Sequence, residues 1–356
     1  MTATMLAAVY HGPHDVRIEE RPVPEAGPDE VLIRILRSGM CGTDATEWKN
    51  GPHLFPSDRP HAITGVSGPF ILGHEFVGEV VEAPARSAFA AGDLVACGAG
   101  VSCGECDRCR EGRTNLCVNY HTYGLNQDGG MAEFAAVTES VLMRIPDSLP
   151  LDDAGLAQPL AVGMHAARRS GAVDGDRVVV IGAGAIGTFV LVGLTSLAEV
   201  DVTVVDFAGP RLKRAMRLGA TRTVAVDDGM QQRVLDALGG PADVVIEASG
   251  APGQFETALH LVRSGGTILQ VGLPARPAEV DLHSLVVREV TVRTTNAHVF
   301  AEDLGAALNL LASRRALGEE LLTAVHPLHE LPSQLEELAS GRLEGKVLFD
   351  PALSRL

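Results

Sequence analysis

The chain has 356 residues, 46% of them hydrophobic and 21% charged, so it is long enough for two globular domains with separate cores. Its formal net charge of -16 argues against nucleic acid or an anionic membrane surface as a partner. Met1 to Tyr10 lacks the pattern of a secretory signal, and no apolar run approaches the length that spans a bilayer, which predicts a cytoplasmic protein.

Short β-branched runs dominate the first part of the sequence. Val31 to Leu36 alternates like a strand after the turn-rich Pro22 to Pro28, and Cys41 to Asp44 is expected to follow in a loop. Further strands are expected at Phe76 to Val81, Leu94 to Cys97 and Ala132 to Val137. We therefore expect residues 1–157 to form a first domain of small antiparallel sheets.

From about Gln158, strands and helices alternate, which is typical of a parallel, doubly wound sheet. Helical patterns at Arg211 to Leu218 and Gln254 to Arg263 separate the expected strands. These strands are Val178 to Ile181, Val202 to Val205, Val244 to Ala248, Thr267 to Val271 and Val290 to Thr294. Residues 158–296 are the predicted α/β domain.

The last part of the chain leaves this alternating pattern. Helices are expected at Ala301 to Ser313 and at Ser333 to Ser340, followed by a strand at Lys346 to Phe349. We interpret residues 297–356 as a return of the chain to the first domain.

A glycine-rich turn follows the strand that ends at Ile181. Gly182, Gly184 and Gly187 have the G-x-G-x-x-G spacing of a dinucleotide-binding turn. The first glycine permits the tight turn, the second allows close approach of a pyrophosphate, and the third allows the helix to pack near the strand. The helix that starts here would direct its free N–H groups toward the phosphates. The predicted contacts of this turn also include Ala185 and Ile186.

Two further features support a dinucleotide. Asp206 ends the next strand about 20 residues after the glycines, where a carboxylate can accept hydrogen bonds from the adenosine ribose. A carboxylate would repel a 2′-phosphate, which favours NAD, although Arg211 keeps NADP open. Later contacts are expected after two strands, at Ser249, Gly250, Val271, Gly272 and Leu273, but these glycines are equally consistent with ordinary tight turns.

Four cysteines lie close together in a loop at about residues 97–118. Cys103, Cys106, Cys109 and Cys117 are spaced C-x2-C-x2-C-x7-C, which suits a closed, structural tetrahedral zinc site. An iron–sulfur cluster is the main alternative, but its usual spacing has a shorter last interval followed by proline. Four free thiols would require chelating intervals to arise by chance.

A second group of metal-binding residues is divided between two segments. Cys41 lies in Cys-Gly-Thr-Asp, and His74 and Glu75 lie in Gly-His-Glu. A thiolate, an imidazole and a carboxylate are good zinc ligands, and three protein ligands leave a coordination position open for water or an alcohol. The sequence alone does not show that the two segments are close in space, and each residue is also consistent with an ordinary core or surface position.

Together these motifs resemble the zinc-containing medium-chain dehydrogenase/reductase family. Cys41 to Asp44, Gly73 to Glu75, the four-cysteine loop and Gly182 to Gly187 match it in order, and the resemblance covers nearly the whole chain. It implies a GroES-like, mostly-β catalytic domain and a Rossmann domain. Within the family the chain most resembles the butanediol, sorbitol and threonine dehydrogenase branch, and Gly51 to Pro56 followed by Pro60 to Gly65 resemble the 2,3-butanediol dehydrogenases in particular.

The resemblance also implies roles for particular residues. Cys41, His74 and Glu75 would bind a catalytic zinc with Gln158 near it, in addition to the structural zinc, so that each chain holds two. Thr43 would pass the alcohol proton outward, and Asp44 would brace His74. The first domain would supply the metal and the second would position NAD. A homodimer or homotetramer is implied as well.

Two residues depart from the branch. Gln158 stands where a glutamate is usual, and a neutral group there would leave the zinc a stronger Lewis acid. Thr46 stands where a histidine often carries the proton onward, and threonine cannot hold a proton near neutral pH. The relay must then end in water or another group. His53 and His61 are candidates, though each also fits a surface or pocket-wall position.

The sequence is consistent with three functions. The first is hydride transfer between NAD and a secondary alcohol, with a vicinal diol or polyol as substrate. The second is an amino-alcohol dehydrogenase acting on threonine or an aminocyclitol. The third is a non-catalytic NAD-binding scaffold, against which the set of Cys41, Thr43, His74 and Glu75 argues.

Overall fold

A computed structural model describes residues 3–57, 59–274 and 276–355. The chain divides into two compact units. The first unit runs to Gln158 and resumes at Val299, and the second runs from Pro159 to His298.

The strands and helices are numbered in chain order. The strands are β1 (Thr4–Gly12), β2 (Asp15–Pro22), β3 (Glu30–Gly39), β4 (Phe70–Ile71), β5 (Glu75–Glu82), β6 (Leu94–Cys97), β7 (Gly100–Val101), β8 (His121–Thr122), β9 (Phe134–Thr138), β10 (Leu142–Arg144), β11 (Arg177–Ile181), β12 (Asp201–Asp206), β13 (Arg222–Ala225), β14 (Ala242–Glu247), β15 (Val262–Gln270), β16 (Thr291–Thr294), β17 (Leu322–Pro327) and β18 (Lys346–Asp350). The helices are α1 (Gly42–Asn50), α2 (Asp107–Arg110), α3 (Leu151–Ala154), α4 (Ala157–Ser170), α5 (Ala185–Leu197), α6 (Pro210–Arg217), α7 (Met230–Leu238), α8 (Gln254–Leu261), α9 (Leu282–Val287), α10 (Gly305–Ser313), α11 (Ala316–Leu321) and α12 (Leu331–Ala339).

The first unit is built mainly from β-sheets. Its largest sheet has seven strands in the order β10-β6-β5-β3-β18-β17, with β9 paired to β3. Its strands pair antiparallel except for β17 and β18, which run in parallel. On β3 the alternate residues Val31, Ile33 and Ile35 are buried in one core cluster, as the alternating sequence requires. The tail joins this sheet because Leu348 on β18 lies opposite Gly39 on β3.

The second unit is a parallel sheet with helices between its strands. Its order is β13-β12-β11-β14-β15-β16, and every pair is parallel. The strand order reverses between β11 and β14, and ligands of such sheets bind beyond the carboxyl ends of the strands at this point. A buried cluster that includes Val179, Val205, Val245 and Ile268 forms its core. The predicted fold class, a mostly-β unit with a doubly wound parallel sheet, is confirmed.

One local expectation is wrong: Cys41 to Asp44 is not a loop. Helix α1 begins at Gly42, and Cys41 is its N-cap. The side chain of Asp44 accepts the Cys41 N–H at 2.8 Å, which is one half of a capping box. An acidic residue three positions after the N-cap is the signal that indicates this helix start.

The predicted element at Ala301 to Ser313 begins differently from expectation. Phe300–Leu304 forms a π-helical turn before α10 continues as a regular α-helix. None of the helices that the structure describes combines the length and apolar composition that crossing a bilayer requires.

Candidate metal centre and dinucleotide site

Adjacent strands of the large sheet bring Cys41, His74 and Glu75 together. Cys41 follows the end of β3, His74 directly precedes β5, and Glu75 is the first residue of β5, where it lies opposite Gly39. One ligand atom from each of the three residues lies within 4.8 Å of the others. His74 and Glu75 are buried, whereas Cys41 is partly exposed. The group therefore has the ligand types and the spacing of a metal site with one accessible side.

Asp44 supports two of these residues from the first turn of α1. One carboxylate oxygen accepts the N–H of Cys41, and the other lies 3.6 Å from Nδ1 of His74. Within the described residues, these facing atoms of Asp44 and His74 have no hydrogen-bond partner. A carboxylate behind a ligating histidine is a common way of fixing the orientation of the ring.

The electrostatic environment of His74 favours positive charge. Burial opposes the charged form of the ring, but Asp44, Cys41 and Glu75 outweigh it and raise the pKa of His74 to about 10. Burial also raises the pKa of Asp44, while His74 acts in the opposite direction. A cluster of anionic groups that attracts a proton so strongly also suits a divalent cation, so these residues fit zinc.

The two threonines of this segment differ in their contacts. Oγ1 of Thr43 lies 3.8 Å from Sγ of Cys41, beside the proposed ligands. The hydroxyl of Thr46 is exposed and donates to the carbonyl oxygen of Gly42 at 2.9 Å. Gln158 is half-buried in the first turn of α4, and its part in a metal site remains a prediction.

Sequence reasoning missed a buried lysine beside this cluster. Lys346, on β18, is 5% exposed and pairs with the carboxylate of Glu75, which is 2% exposed. Its Nζ also donates to the carbonyl oxygen of Met40 at 2.5 Å. The signal in the sequence is a lysine directly before the apolar run Val347 to Phe349.

The four cysteines of the second metal group also come together. The Sγ atoms of Cys103, Cys106, Cys109 and Cys117 all lie within 4.8 Å of one another. Sγ of Cys117 accepts N–H groups at 3.2 and 3.3 Å. Backbone N–H groups, first that of Val118, lower the pKa of Cys106 to about 6, which favours the thiolate that binds metal. This group fits a closed zinc site.

In the glycine turn of the second unit, the backbone geometry requires two of the three glycines, and the third leaves space for a ligand. Gly182 has a φ of +99°, and a Cβ on Gly187 would lie 1.8 Å from its carbonyl oxygen. A Cβ on Gly184 would meet nothing within 4 Å, so the backbone here is open to a ligand. Gly184 is the N-cap of α5, and Ala185 and Ile186 are the first two residues of that helix. The turn has the form of a phosphate-binding site.

Asp206 supports this turn from the end of β12. Its two oxygens accept the N–H groups of Ala183 and Phe207, each at 2.6 Å, and it is 7% exposed. The carboxylate thus fixes the glycine turn in addition to the predicted ribose contact. Arg211 lies in the first turn of α6, whose N-cap is Gly209, and the exposed Phe207 lies two residues before this glycine.

The loops after β14 and β15 pack on each other through their glycines. A Cβ on Gly272 would lie 2.1 Å from the nitrogen of Gly250. Glu247, which the sequence analysis missed, accepts the N–H groups of Ser249 and Gly250 at 2.8 and 3.1 Å. Gly250 is also close to the backbone of Leu273, which is exposed, whereas Val271 donates its N–H to the Glu247 carbonyl. Close loop packing therefore accounts for these two glycines.

The fold and these two sites define a class: metal-dependent enzymes with a dinucleotide-binding domain. The profile of the alcohol dehydrogenase GroES-like domain matches residues 27–147, and that of the zinc-binding dehydrogenases matches residues 185–313. The chain belongs to the zinc-dependent medium-chain alcohol dehydrogenase family and is an oxidoreductase that acts on alcohol groups.

Individual relatives match over nearly their whole length. Sorbitol dehydrogenase of Macaca fascicularis is 32% identical over 342 residues, which cover 94% of this chain and 93% of that protein. Sorbitol dehydrogenase of Bacillus subtilis is 30% identical over 336 residues, 93% of each chain. The crystal structure of 2R,3R-butanediol dehydrogenase from Bacillus subtilis has a TM-score of 0.89 at 29% identity and covers 98% of this chain and 99% of that one.

Proposed function

We propose that this protein is a zinc- and NAD-dependent dehydrogenase of small secondary alcohols, with a vicinal diol or polyol as substrate. The observation that carries the proposal is the convergence of Cys41, His74 and Glu75 within 4.8 Å in a chain that also has a dinucleotide turn. The substrate class follows the names of the similar sorbitol and butanediol dehydrogenases.

In this proposal, Cys41, His74 and Glu75 hold the catalytic zinc, and Gln158 lies beside it. Bound zinc would supply Lewis-acid chemistry that lowers the pKa of the substrate hydroxyl. Asp44 keeps the ring of His74 oriented. The hydroxyl of Thr43 carries the substrate proton away.

Thr46 does not extend this proton path, because its hydroxyl is used by the carbonyl oxygen of Gly42. A threonine hydroxyl also cannot store a proton near neutral pH. The proton would then pass from Thr43 to water or to another group, for which His53 and His61 are the candidates.

NAD is the proposed coenzyme. The turn from Gly182 to Gly187 would receive its pyrophosphate, and the carboxylate of Asp206 would accept hydrogen bonds from its ribose. The negative charge of Asp206 would repel the 2′-phosphate of NADP. Arg211 is the nearby cation that could oppose this preference, so the ratio of NAD to NADP activity tests it.

The four-cysteine lobe is proposed to hold a second, structural zinc. Its four thiol groups would complete a tetrahedral coordination and leave no position for substrate. The lobe would then contribute to folding and not to the reaction.

A homo-oligomer is proposed, formed through the edge of the parallel sheet. β16 is the last strand in the sheet order, and an unpaired strand edge can pair with a second copy. Next to it in sequence, Leu282, Val286 and Val287 on α9 are 67%, 75% and 67% exposed. Val286→Glu should reduce the mass measured by light scattering to that of a monomer, whereas an unchanged mass would place the interface elsewhere.

The assay is NADH appearance at 340 nm with 2,3-butanediol, sorbitol and threonine, before and after zinc chelation. We expect turnover with a diol or polyol that chelation abolishes and added zinc restores. Turnover with threonine alone would assign the chain to amino alcohols. NADH binding without turnover of any secondary alcohol would identify a scaffold and contradict the proposal.

A further inference from the structure

Lys346 is the buried cation of the metal-binding unit that the proposed function does not use. The side chain is 5% exposed, and its Nζ contacts the Glu75 carboxylate and the Met40 carbonyl oxygen. A buried ammonium group is destabilising unless it is paired, so these two contacts offset the cost of burying Lys346.

Both partners of Lys346 adjoin proposed metal ligands. Met40 immediately precedes Cys41, and Glu75 is a proposed ligand itself. Strand β3 lies between β18 and β5, and Gly39 is opposite both Leu348 and Glu75. The lysine thus links the carboxy-terminal strand to both segments that carry the ligands.

Gly39 is the residue that permits this contact across β3. A Cβ at this position would lie 2.4 Å from Oε2 of Glu75, the oxygen that pairs with Lys346. The side chain of Glu75 therefore occupies the space that any larger residue would need. The glycine, the glutamate and the lysine form one geometric arrangement around the ligand group.

We propose that Lys346 is a positioning residue of the metal centre, which competes with the metal ion for the carboxylate of Glu75. When no metal is bound, the ammonium group balances the buried carboxylate. When a metal is bound, the same ammonium group retains one carboxylate oxygen and repels the ion, so Glu75 binds the metal less strongly. This inference rests on the proposed zinc ligands.

The proposal makes an unusual prediction for Lys346→Met. Removing the ammonium takes away the ion-pair partner of the buried Glu75 carboxylate, so the metal-free protein should become less stable. Because the ammonium then no longer competes for this carboxylate, the affinity for the metal should rise by about tenfold or more. A purely structural role predicts the reverse, since a disordered ligand group binds metal more weakly.

Cobalt(II) titration of chelator-treated full-length protein tests the proposal. The visible absorption of cobalt bound by one cysteine differs from that of cobalt bound by four, so the site of Cys41 is read separately from the cysteine lobe. Urea unfolding of the metal-free and cobalt-loaded forms gives the stability of each. Lys346→Arg retains the charge and should therefore bind cobalt no more tightly than wild type. Lys49→Met is the matched control, because Lys49 is exposed and donates to the carbonyl oxygen of Ala339.

Tighter cobalt binding by Lys346→Met, with a less stable metal-free form, supports the proposal. Equal or weaker binding overturns it and leaves the proposed function intact, whereas a wild-type protein that binds no cobalt at Cys41 overturns the proposed function as well. If Lys346→Met does not fold, the double variant with Glu75→Gln and Lys346→Met tests whether the two charges are coupled. Recovery of folding in this double variant supports the coupling of the two charges, and its failure to fold refutes it.

Discussion

Asp206→Asn tests the dual role assigned to the carboxylate at the end of β12. Each oxygen of Asp206 accepts one backbone N–H at 2.6 Å, from Ala183 and Phe207, and the residue is 7% exposed. Asparagine replaces one oxygen by an NH2 group, which cannot accept a hydrogen bond. One backbone N–H then loses its partner and faces another donor.

The size of the effect follows from these contacts. A buried donor left without a partner costs about 1–3 kcal/mol, so the free energy of unfolding of the second unit should fall by this amount. In the proposed complex the variant also loses a charged acceptor for the ribose, and hydrogen bonds to charged groups contribute about 1.5–3 kcal/mol. Since about 1.4 kcal/mol corresponds to a factor of ten in affinity, NADH binding should weaken roughly tenfold to a hundredfold.

Urea unfolding and NADH fluorescence titration measure these two effects separately. Asp228→Asn is the control, since Asp228 is an exposed aspartate of the same unit and carries the same charge. Lower stability with unchanged NADH affinity would refute the ribose contact. Wild-type stability would refute the reasoning about the backbone hydrogen bonds.

Three further predictions follow from the sites and from one ion pair. Gln158→Glu adds a negative charge beside the proposed zinc, so the pH midpoint of the hydride-transfer rate should rise by about one unit, and an unchanged profile in stopped-flow measurements would contradict the charge argument. Cys106→Ser should reduce the zinc content from two ions to one per chain by elemental analysis and lower the melting temperature, whereas retention of both ions would contradict Cys106 as a required ligand of the second zinc. Glu133 accepts a hydrogen bond from Arg355, which lowers the pKa of its carboxyl group below the usual 4.5; burial acts in the opposite direction, and the N–H of Leu6 lowers the pKa further. The carboxylate therefore stabilises the folded protein fully above pH 4.5, and this stabilisation is lost as the pH falls through the lowered pKa. Glu133→Gln should therefore be less stable than wild type at pH 7 in urea unfolding, and the difference should shrink in acid; a difference independent of pH would contradict this.

Local patterns account for the parts of the molecule that the sequence predicts well. The turn from Gly182 to Gly187 and the lobe from Cys103 to Cys117 are each contained in one short segment, so spacing alone indicates their geometry. The strand and helix alternation of the second unit is equally local, because each strand is a short β-branched run bounded by turn residues.

Contacts between distant segments explain what the sequence did not predict. Lys346 is 271 residues from Glu75 in the numbering, and no period or motif connects them until β18 is placed beside β3. Asp206 was predicted as a ribose ligand, but its bond to Ala183 depends on where two parallel strands end. The start of α1 is a different case, because Asp44, the acidic residue of its capping box, is a local signal from which the helix can be predicted.

The account depends most on a metal ion held by Cys41, His74 and Glu75. Anomalous diffraction at the zinc absorption edge, from crystals of the protein purified with zinc, locates such an ion directly. We expect two peaks per chain, one bounded by these three side chains and one inside the four-cysteine lobe. A peak in the lobe alone, in crystals of enzyme that still oxidises an alcohol, would contradict the assignment of this site.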